Sequence, residues 1–321
     1  MKIHSLCIVK NEDDVIEEAL VKASTWSDFI YVFDNGSSDT TWSKVNSLSQ
    51  KYQQIIPYKQ DDCEWSDSLR GQIFNHYRNN FKSGDWIARL DSDEIYIDNP
   101  KLFLGKVPEK YSIVCAAMFT YYFTDKDWEK YQQNPDLYSD NVSVEEKCKY
   151  YRNDLSEIRF FRYKDSLIWP DKSKCILRSD YKDWPTGLKG DAFPTRIWLK
   201  NYRYRSPQQI QKRIDLRRQL TKKNLFPQEM KYMWKEHSAN LHIDGAKDFE
   251  NWKSRIAKSS ILDFDRNNHE YVLREDLMLN LNTILSRYFL KIDRTNFIQH
   301  YFGRPIKRKL VRLNLLPNQF S

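Results

Sequence analysis

Residues 86–96 read WIARLDSDEIY. A short apolar run stops at three carboxylates, Asp91, Asp93 and Glu94. A run of this length that gives way to turn-forming acids predicts a strand covered on both faces, as in a parallel sheet. Working outward from it, HSLCIV (4–9) is a second such run. The stretch that follows, KNEDDVIEEALVKAS (10–24), sets Val15, Ile16, Ala19, Leu20 and Ala23 at helical spacing behind a first turn rich in acids, where the helix dipole favours them. DFIYVFDNGSSDTTWSKVNSLSQKY (28–52) repeats the plan as strand, glycine-containing turn and helix, with Ser38 or Asp39 available as its cap. QQIIPYK (53–59) then reads as a strand and SDSLRGQIFNHYRNNF (66–81) as a helix.

Strands that alternate with helices predict βαβ units and a mostly parallel α/β sheet flanked by helices. In such sheets ligands bind beyond the carboxyl ends of the strands. Asp34 and Asp91 are each the first acid after a predicted buried strand, so both are expected at one crevice. In extended backbone, residues two apart share a face, which puts Asp91 and Asp93 together. Neighbouring carboxylates repel, and a cation or a basic ligand is the natural compensation. A hard divalent ion, Mg2+ or Mn2+, that keeps several waters and shares a phosphate-bearing substrate suits the pair. The alternative for this stretch is that Ser92 or Asp93 merely caps a helical turn.

Three stretches in this order and spacing, CIVKNEDDVIEEAL, VFDNGSSDTTWSKV and SGDWIARLDSDEIY, resemble the nucleotide-binding half of family 2-like glycosyltransferases of bacterial type, with the GT-A, Rossmann-like fold. Downstream, RFFRYKDS, KCILR and NYRYRSPQQIQKRI resemble later parts of some members, so the likeness covers about residues 1–220. The resemblance implies nucleotide-sugar contacts at Val9, Lys10, Asn11 and Glu12 after the first strand, and at Asp34 and Asn35 after the second. It further implies a donor-facing Arg70 and a metal and diphosphate site at Asp91 and Asp93. The activity implied is transfer of a sugar from a nucleotide-diphosphate sugar, a UDP-sugar first, to a hydroxyl, with inversion. Inversion needs a carboxylate base downstream. Asp191, in a glycine-preceded turn, and Asp171 are the expected bases, with Asp180 and Asp183 as further acids of that stretch. Lys174, Arg178, Arg203 and Arg205 are possible diphosphate contacts. Where many relatives carry a histidine before YRYRS this chain has Asn201, and His237 and His242 are the nearest alternatives in sequence.

The composition agrees with a folded enzyme. The chain has 321 residues, 40% of them hydrophobic, including 10 Trp, 20 Tyr and 17 Phe, which is globular and not disordered. Five widely spaced cysteines without a C-x-x-C argue against a disulfide framework and fit a reducing cytoplasm. The amino terminus lacks the apolar core of a signal peptide, and no run of eighteen apolar residues predicts a membrane span. The net charge is +8, but residues 200–321 carry 25 Lys and Arg against 12 Asp and Glu, a net of +13, which leaves −5 for residues 1–199. Two regions are expected on this basis, a catalytic 1–200 and a basic, helical 201–321 with helices near 206–224, 228–240, 247–259 and 269–292. The tail IKRKLVRLNLL (306–316) is patterned either as a peripheral contact with an anionic membrane at the inner face or as an ordinary terminal helix. The membrane pattern goes with a cell-surface glycan or lipid-linked saccharide as acceptor. Aromatic residues crowd 119–138, where they suit either sugar rings or a core.

Two other function classes use the same features. A nucleotidyltransferase also employs paired aspartates and Mg2+, and would release pyrophosphate. Nucleic-acid binding would use the basic half, but the acidic front half opposes it and no binding motif is present, so no nucleic-acid partner is expected.

Overall fold

The computed structural model of the chain describes residues 1–63, 65, 69–169, 184–188, 191–221, 241–243, 250–268 and 270–273. The stretch KCILR (174–178), the expected helix at 228–240, most of the one at 269–292 and the basic tail lie outside these residues. Along the chain the elements are β1 (Ile3–Val9), α1 (Ile16–Ser24), β2 (Phe29–Asp34), α2 (Thr41–Lys51), β3 (Ile55–Gln60), α3 (Leu69–His76), β4 (Trp86–Asp91), β5 (Glu94–Tyr96), α4 (Pro100–Gly105), β6 (Tyr111–Tyr122), α5 (Asp125–Gln133), α6 (Val144–Lys147), β7 (Tyr150–Arg162), β8 (Asp191–Ala192), β9 (Ile197–Asn201), α7 (Pro207–Thr221) and β10 (Asp263–Phe264). The sheet runs in the order β3-β2-β1-β4-β7-β6-β9-β5, with β8 on β6 and β10 on β7. The α/β class expected from the sequence holds.

The described residues form two compact units, one of Met1–Ala117 with Ser156–Leu199, the other of Met118–Leu155 with the described part of Lys200–Arg274. In the first, β1 lies between β2 and β4 and is parallel to both, with Val9 opposite Asp34 and Ile8 opposite Asp91. Every residue of β1 is buried, which is why its sequence shows no polar alternation. On one face α3 packs Leu69, Ile73 and Phe74 against Leu6, Ile8, Tyr31, Phe33 and Ile87, and Phe161 and Trp169 complete that core. Ile16, Ala19, Leu20 and Ala23 are the buried stripe of α1, as their spacing predicts.

In the second unit, α5 starts at a capping box in which the Thr124 side chain accepts from the Asp127 N–H while Asp127 accepts from the Thr124 N–H. Its core gathers Tyr122, Phe123, Tyr138, Tyr204, Ile210 and Ile214, with Trp128, Tyr131 and Trp252 packed against them. Most of the aromatic stretch 119–138 therefore serves strand β6, helix α5 and this core. The helix expected at 247–259 is not formed by its described residues. Trp252–Arg255 is a single 3-10 turn, and beyond it Ala257 N–H donates to Phe123 O and Lys258 N–H to Leu241 O. Tertiary pairing takes the backbone groups that a helix would use.

Candidate active site

The crevice is built from the ends of β1, β2 and β4. After β2 the chain turns at Asp34, Asn35 and Gly36, where Gly36 has φ of +72°. A Cβ there would meet the Asp62 Cβ at 2.5 Å, so the close approach as well as the torsion requires glycine. Asp34 is fully buried. Its Oδ1 accepts from Ser37 N–H at 2.6 Å and from Gln60 Nε2 at 3.2 Å. Its Oδ2 is buried with no partner among the described residues. Asn35 is also buried and donates through Nδ2 to the carbonyls of Asp61 and Cys63.

The loop after β1 closes against the same turn. Val9 O accepts from Asn35 N–H at 2.8 Å. Lys10 Nζ donates to Asn35 O at 2.7 Å and pairs with Asp62 at 2.9 Å, so its charge is spent on holding the turn. Asn11 has φ of +55°, a conformation asparagine tolerates better than most residues. It accepts from Ser38 N–H through Oδ1 and donates its own N–H to Ser37 Oγ. Glu12 N–H donates to Thr41 Oγ1, and Asp39 accepts from Thr41 N–H one residue ahead of the N-cap of α2, which is Thr40 without a side-chain cap bond, so neither Ser38 nor Asp39 is the helix cap expected there.

On the other side of β1 the acids that end β4 divide. Asp91 Oδ1 hydrogen-bonds Arg70 of α3. Asp91 Oδ2 lies 3.3 Å from Arg159 Nη2 and 4.0 Å from Arg89 Nε. Burial raises the carboxyl's affinity for a proton, but the charges of Arg70, Arg159 and Arg89 outweigh that and hold Asp91 well below the usual carboxylate range. A basic ligand is thus the compensation found for Asp91. Asp93 sits one turn residue beyond the buried Ser92, half-buried, and has no hydrogen bond or ion pair among the described residues. Glu94 opens β5, is buried, and bonds Arg159. Burial shifts it the opposite way to Asp91, upward; Arg159 opposes that shift, and Asp91 and Asp93 add to it.

The structure brings Val9, Lys10, Asn11, Glu12, Asp34 and Asn35 together on one side of the β1 end, and Arg70, Asp91 and Asp93 on the other. It does not bring Asp191 there. Asp191 is exposed on β8, in register with Tyr111 at the start of β6. The Tyr111 carbonyl accepts from Arg162 Nε at 2.9 Å, and Arg162 lies opposite Trp86, where β4 begins. The length of β4, about 16 Å at 3.2–3.4 Å per residue, separates that end from Asp91. Asp171, Lys174, Arg178 and His237 lie outside the described residues. Arg205 is fully buried and donates to Tyr202 O, and His242 is buried, bridging to Ala257. Among the described residues no group of three His, Cys, Asp or Glu could hold a metal ion, so a closed cage is not built there. A single free carboxylate at a strand end fits a hydrated ion shared with a diphosphate.

Arg159, Glu94 and Arg89 were not expected from the motifs. The signal for Arg159 is an arginine at an inward position of the buried run EIRFFRY, where a charge is placed only with a partner. Trp184 stands beside Arg89, 6.0 Å from guanidinium to ring centre, and stacks on Trp169.

The family model described as glycosyl transferase family 2 matches residues 6–167. The chain belongs to glycosyltransferase family 2. The matched stretch contains the end of β1 from Leu6, the Asp34 turn, Arg70, Asp91, Asp93 and Arg159, and ends before Asp171 and Asp191. Similar solved structures include the mannosyltransferase PcManGT from Pyrobaculum calidifontis in complex with GDP-Man and Mn2+, at 13% identity over 50% of this chain and 44% of that one, TM-score 0.31. Another is TarS 1-349 of S. aureus, at 11% identity over 67% and 64%, TM-score 0.34. A third is glucosyl-3-phosphoglycerate synthase from Mycobacterium tuberculosis with Mn2+, UDP and glucosyl-3-phosphoglycerate, at 17% identity over 50% and 56%, TM-score 0.26. The chain spans 44–64% of the length of these structures. No curated protein matches the sequence. Among the described residues no helix is long and apolar enough to cross a membrane.

Proposed function

We propose that this family 2 chain transfers a sugar from a nucleotide-diphosphate sugar to a hydroxyl acceptor with the help of one divalent cation. The observation that carries the reading is the register across β1, which sets a buried, half-satisfied Asp34 and the Asp91–Asp93 turn at the strand ends on the two sides of β1. The unpartnered Asp34 Oδ2 is an acceptor for an N–H or O–H of the nucleoside. Asp93 would hold Mn2+ or Mg2+ together with the diphosphate oxygens, and a bound cation supplies charge neutralisation for the departing diphosphate. Arg70 and Arg159 keep Asp91 ionised and fixed, so that the turn is set before the donor arrives.

In this reading the reaction inverts the sugar, and the base is an acid of residues 170–183, Asp171 first, because Asp191 lies at the far end of β4. The donor is a UDP-sugar and the acceptor a cell-surface glycan or lipid-linked saccharide, met at the inner face of the membrane. The support for that acceptor is the net +13 of residues 200–321.

A thermal-shift panel of UDP-, GDP-, CMP- and dTDP-sugars with and without Mn2+ tests the reading, since a ligand that binds only the folded state raises the melting temperature. One donor class is expected to stabilise the chain only with Mn2+, and Asp93→Asn to abolish that shift. Stabilisation by a donor that is indifferent to Mn2+ and to Asp93→Asn would refute the cation role. Release of pyrophosphate in place of a nucleoside diphosphate would favour a nucleotidyltransferase.

A further inference from the structure

One guanidinium reaches both sides of the turn that carries Asp93. Arg159, on β7, is 2% exposed. Its Nη2 bonds Glu94 Oε1 and lies 3.3 Å from Asp91 Oδ2, while its Nη1 is 3.3 Å from Glu157 Oε2. Between Asp91 and Glu94 stand only Ser92 and Asp93. Glu94 Oε2 is buried without a partner among the described residues, so Arg159 is the one described cation paired with that acid. Arg70 takes the other oxygen of Asp91 from the α3 side.

We infer that Arg159 is a positioning residue, a staple that ties Asp91 to Glu94 across the two-residue turn and thereby fixes the carboxylate of Asp93. The inference rests on the reading of Asp93 as a cation ligand. A half-exposed aspartate at the tip of a turn gains affinity for an ion only if its backbone is held, since ordering it on binding would subtract from that affinity. One nitrogen of the planar guanidinium, Nη2, engages both carboxylates, and the second arm, Nη1, reaches Glu157, which fixes the direction from which Nη2 approaches. Lysine is a point charge on a flexible stem and has no second arm to fix its approach. Groups that hold a metal ligand in place change affinity by about 10–100-fold when lost.

The test uses the full chain, with Mn2+ binding read from the electron paramagnetic resonance of the free ion in the presence of UDP and, separately, GDP. Arg159→Lys keeps a charge beside Glu94. The double variant Arg159→Met with Glu94→Gln leaves neither member of the buried pair alone, which protects the fold. Both variants are expected to melt cooperatively and to bind Mn2+ about 10–100-fold more weakly, the lysine variant less affected. Turnover should recover at saturating Mn2+, so that the cation requirement rises while kcat stays within about threefold of the parent. Parental Mn2+ affinity in either folded variant would overturn the inference and leave Arg159 a purely structural ion pair. If the parent chain shows no nucleotide-dependent Mn2+ binding, the cation reading of Asp93 fails first and takes this inference with it. Parental binding lost in Asp93→Asn but kept in both Arg159 variants isolates the failure to Arg159.

Discussion

Replacing Asp91 with asparagine removes a charge from between arginines without changing volume, and the structure sets the size of the effect. The Asp91 side chain is 26% exposed and those of Arg70 and Arg159 are 3% and 2% exposed. Breaking a buried ion pair from one side costs about 3–5 kcal/mol. Arg159 retains Glu94, and Asp91 is partly wetted, which places Asp91→Asn at the low end, about 3 kcal/mol. For a domain of this size that is a fall of about 6–12 °C in melting temperature. The pH dependence has a defined sign. Asp91 is depressed in the folded state, so it adds stability above its unfolded value of about 3.9, and that contribution is lost as the pH falls through the folded value. The gap between parent and variant should therefore be constant from neutral pH to about pH 5 and narrow below about pH 4. Urea unfolding in EDTA at a series of pH values measures it with no cation present. A variant as stable as the parent at neutral pH, or a gap that does not narrow in acid, would refute the arginine-held carboxylate.

Other consequences follow from the same packing. Gly36→Ala forces a side chain into φ of +72° and against Asp62, and should cost about 2–4 kcal/mol in denaturant unfolding while weakening nucleotide-dependent thermal shifts. Thr124→Ala removes one half of the α5 capping box and should destabilise the chain by about 1–2 kcal/mol in urea, without altering Mn2+ binding. Burial lowers His4 below the usual histidine value despite the Asp85 carboxylate beside it. Its contribution is present above about 6.5 and is lost as the pH falls through the folded value, so His4→Phe should flatten stability between about pH 7.5 and pH 5.5 as followed by urea midpoints.

What the sequence disclosed were features that a few adjacent residues settle. Buried strands appear as continuous apolar runs, α1 as a stripe at helical spacing, and the Asp34 turn as D-N-G. Each of these is local, and each stands where it was expected. The partners of the acids were not visible, because Arg159 lies 65 residues from Glu94 and only the pairing of β4 with β7 brings them together. The same limit explains Asp191. Its glycine-preceded turn looked like an active-site loop, but its place is fixed by pairing with Tyr111, which a linear reading does not contain. Helix α5 is a different case, since Thr124 and Asp127 form a T-x-x-D cap that was legible but was overshadowed by the surrounding aromatics. In the helix expected at 247–259, the described residues instead pair their backbone with Phe123 and Leu241.

The division of labour between Asp91 and Asp93 implies an order of events. Had both carboxylates faced a cation with no basic neighbour, their repulsion would make the free chain depend on metal for stability, as structural metal sites do. Here Asp91 is compensated from within by Arg70 and Arg159, and Asp93 is half-exposed, where water screens it. The fold therefore does not depend on an ion, and under the proposed function the ion need only be recruited with the diphosphate. Chelation should leave the melting temperature of the donor-free chain unchanged to within about 1 °C, while it removes the donor-dependent rise, which is worth about 2.7 kcal/mol at a hundredfold excess over the dissociation constant. A donor-free chain that melts several degrees lower in EDTA would mean that the two acids share a cation in the resting protein, and the arginines could not then be what holds Asp91.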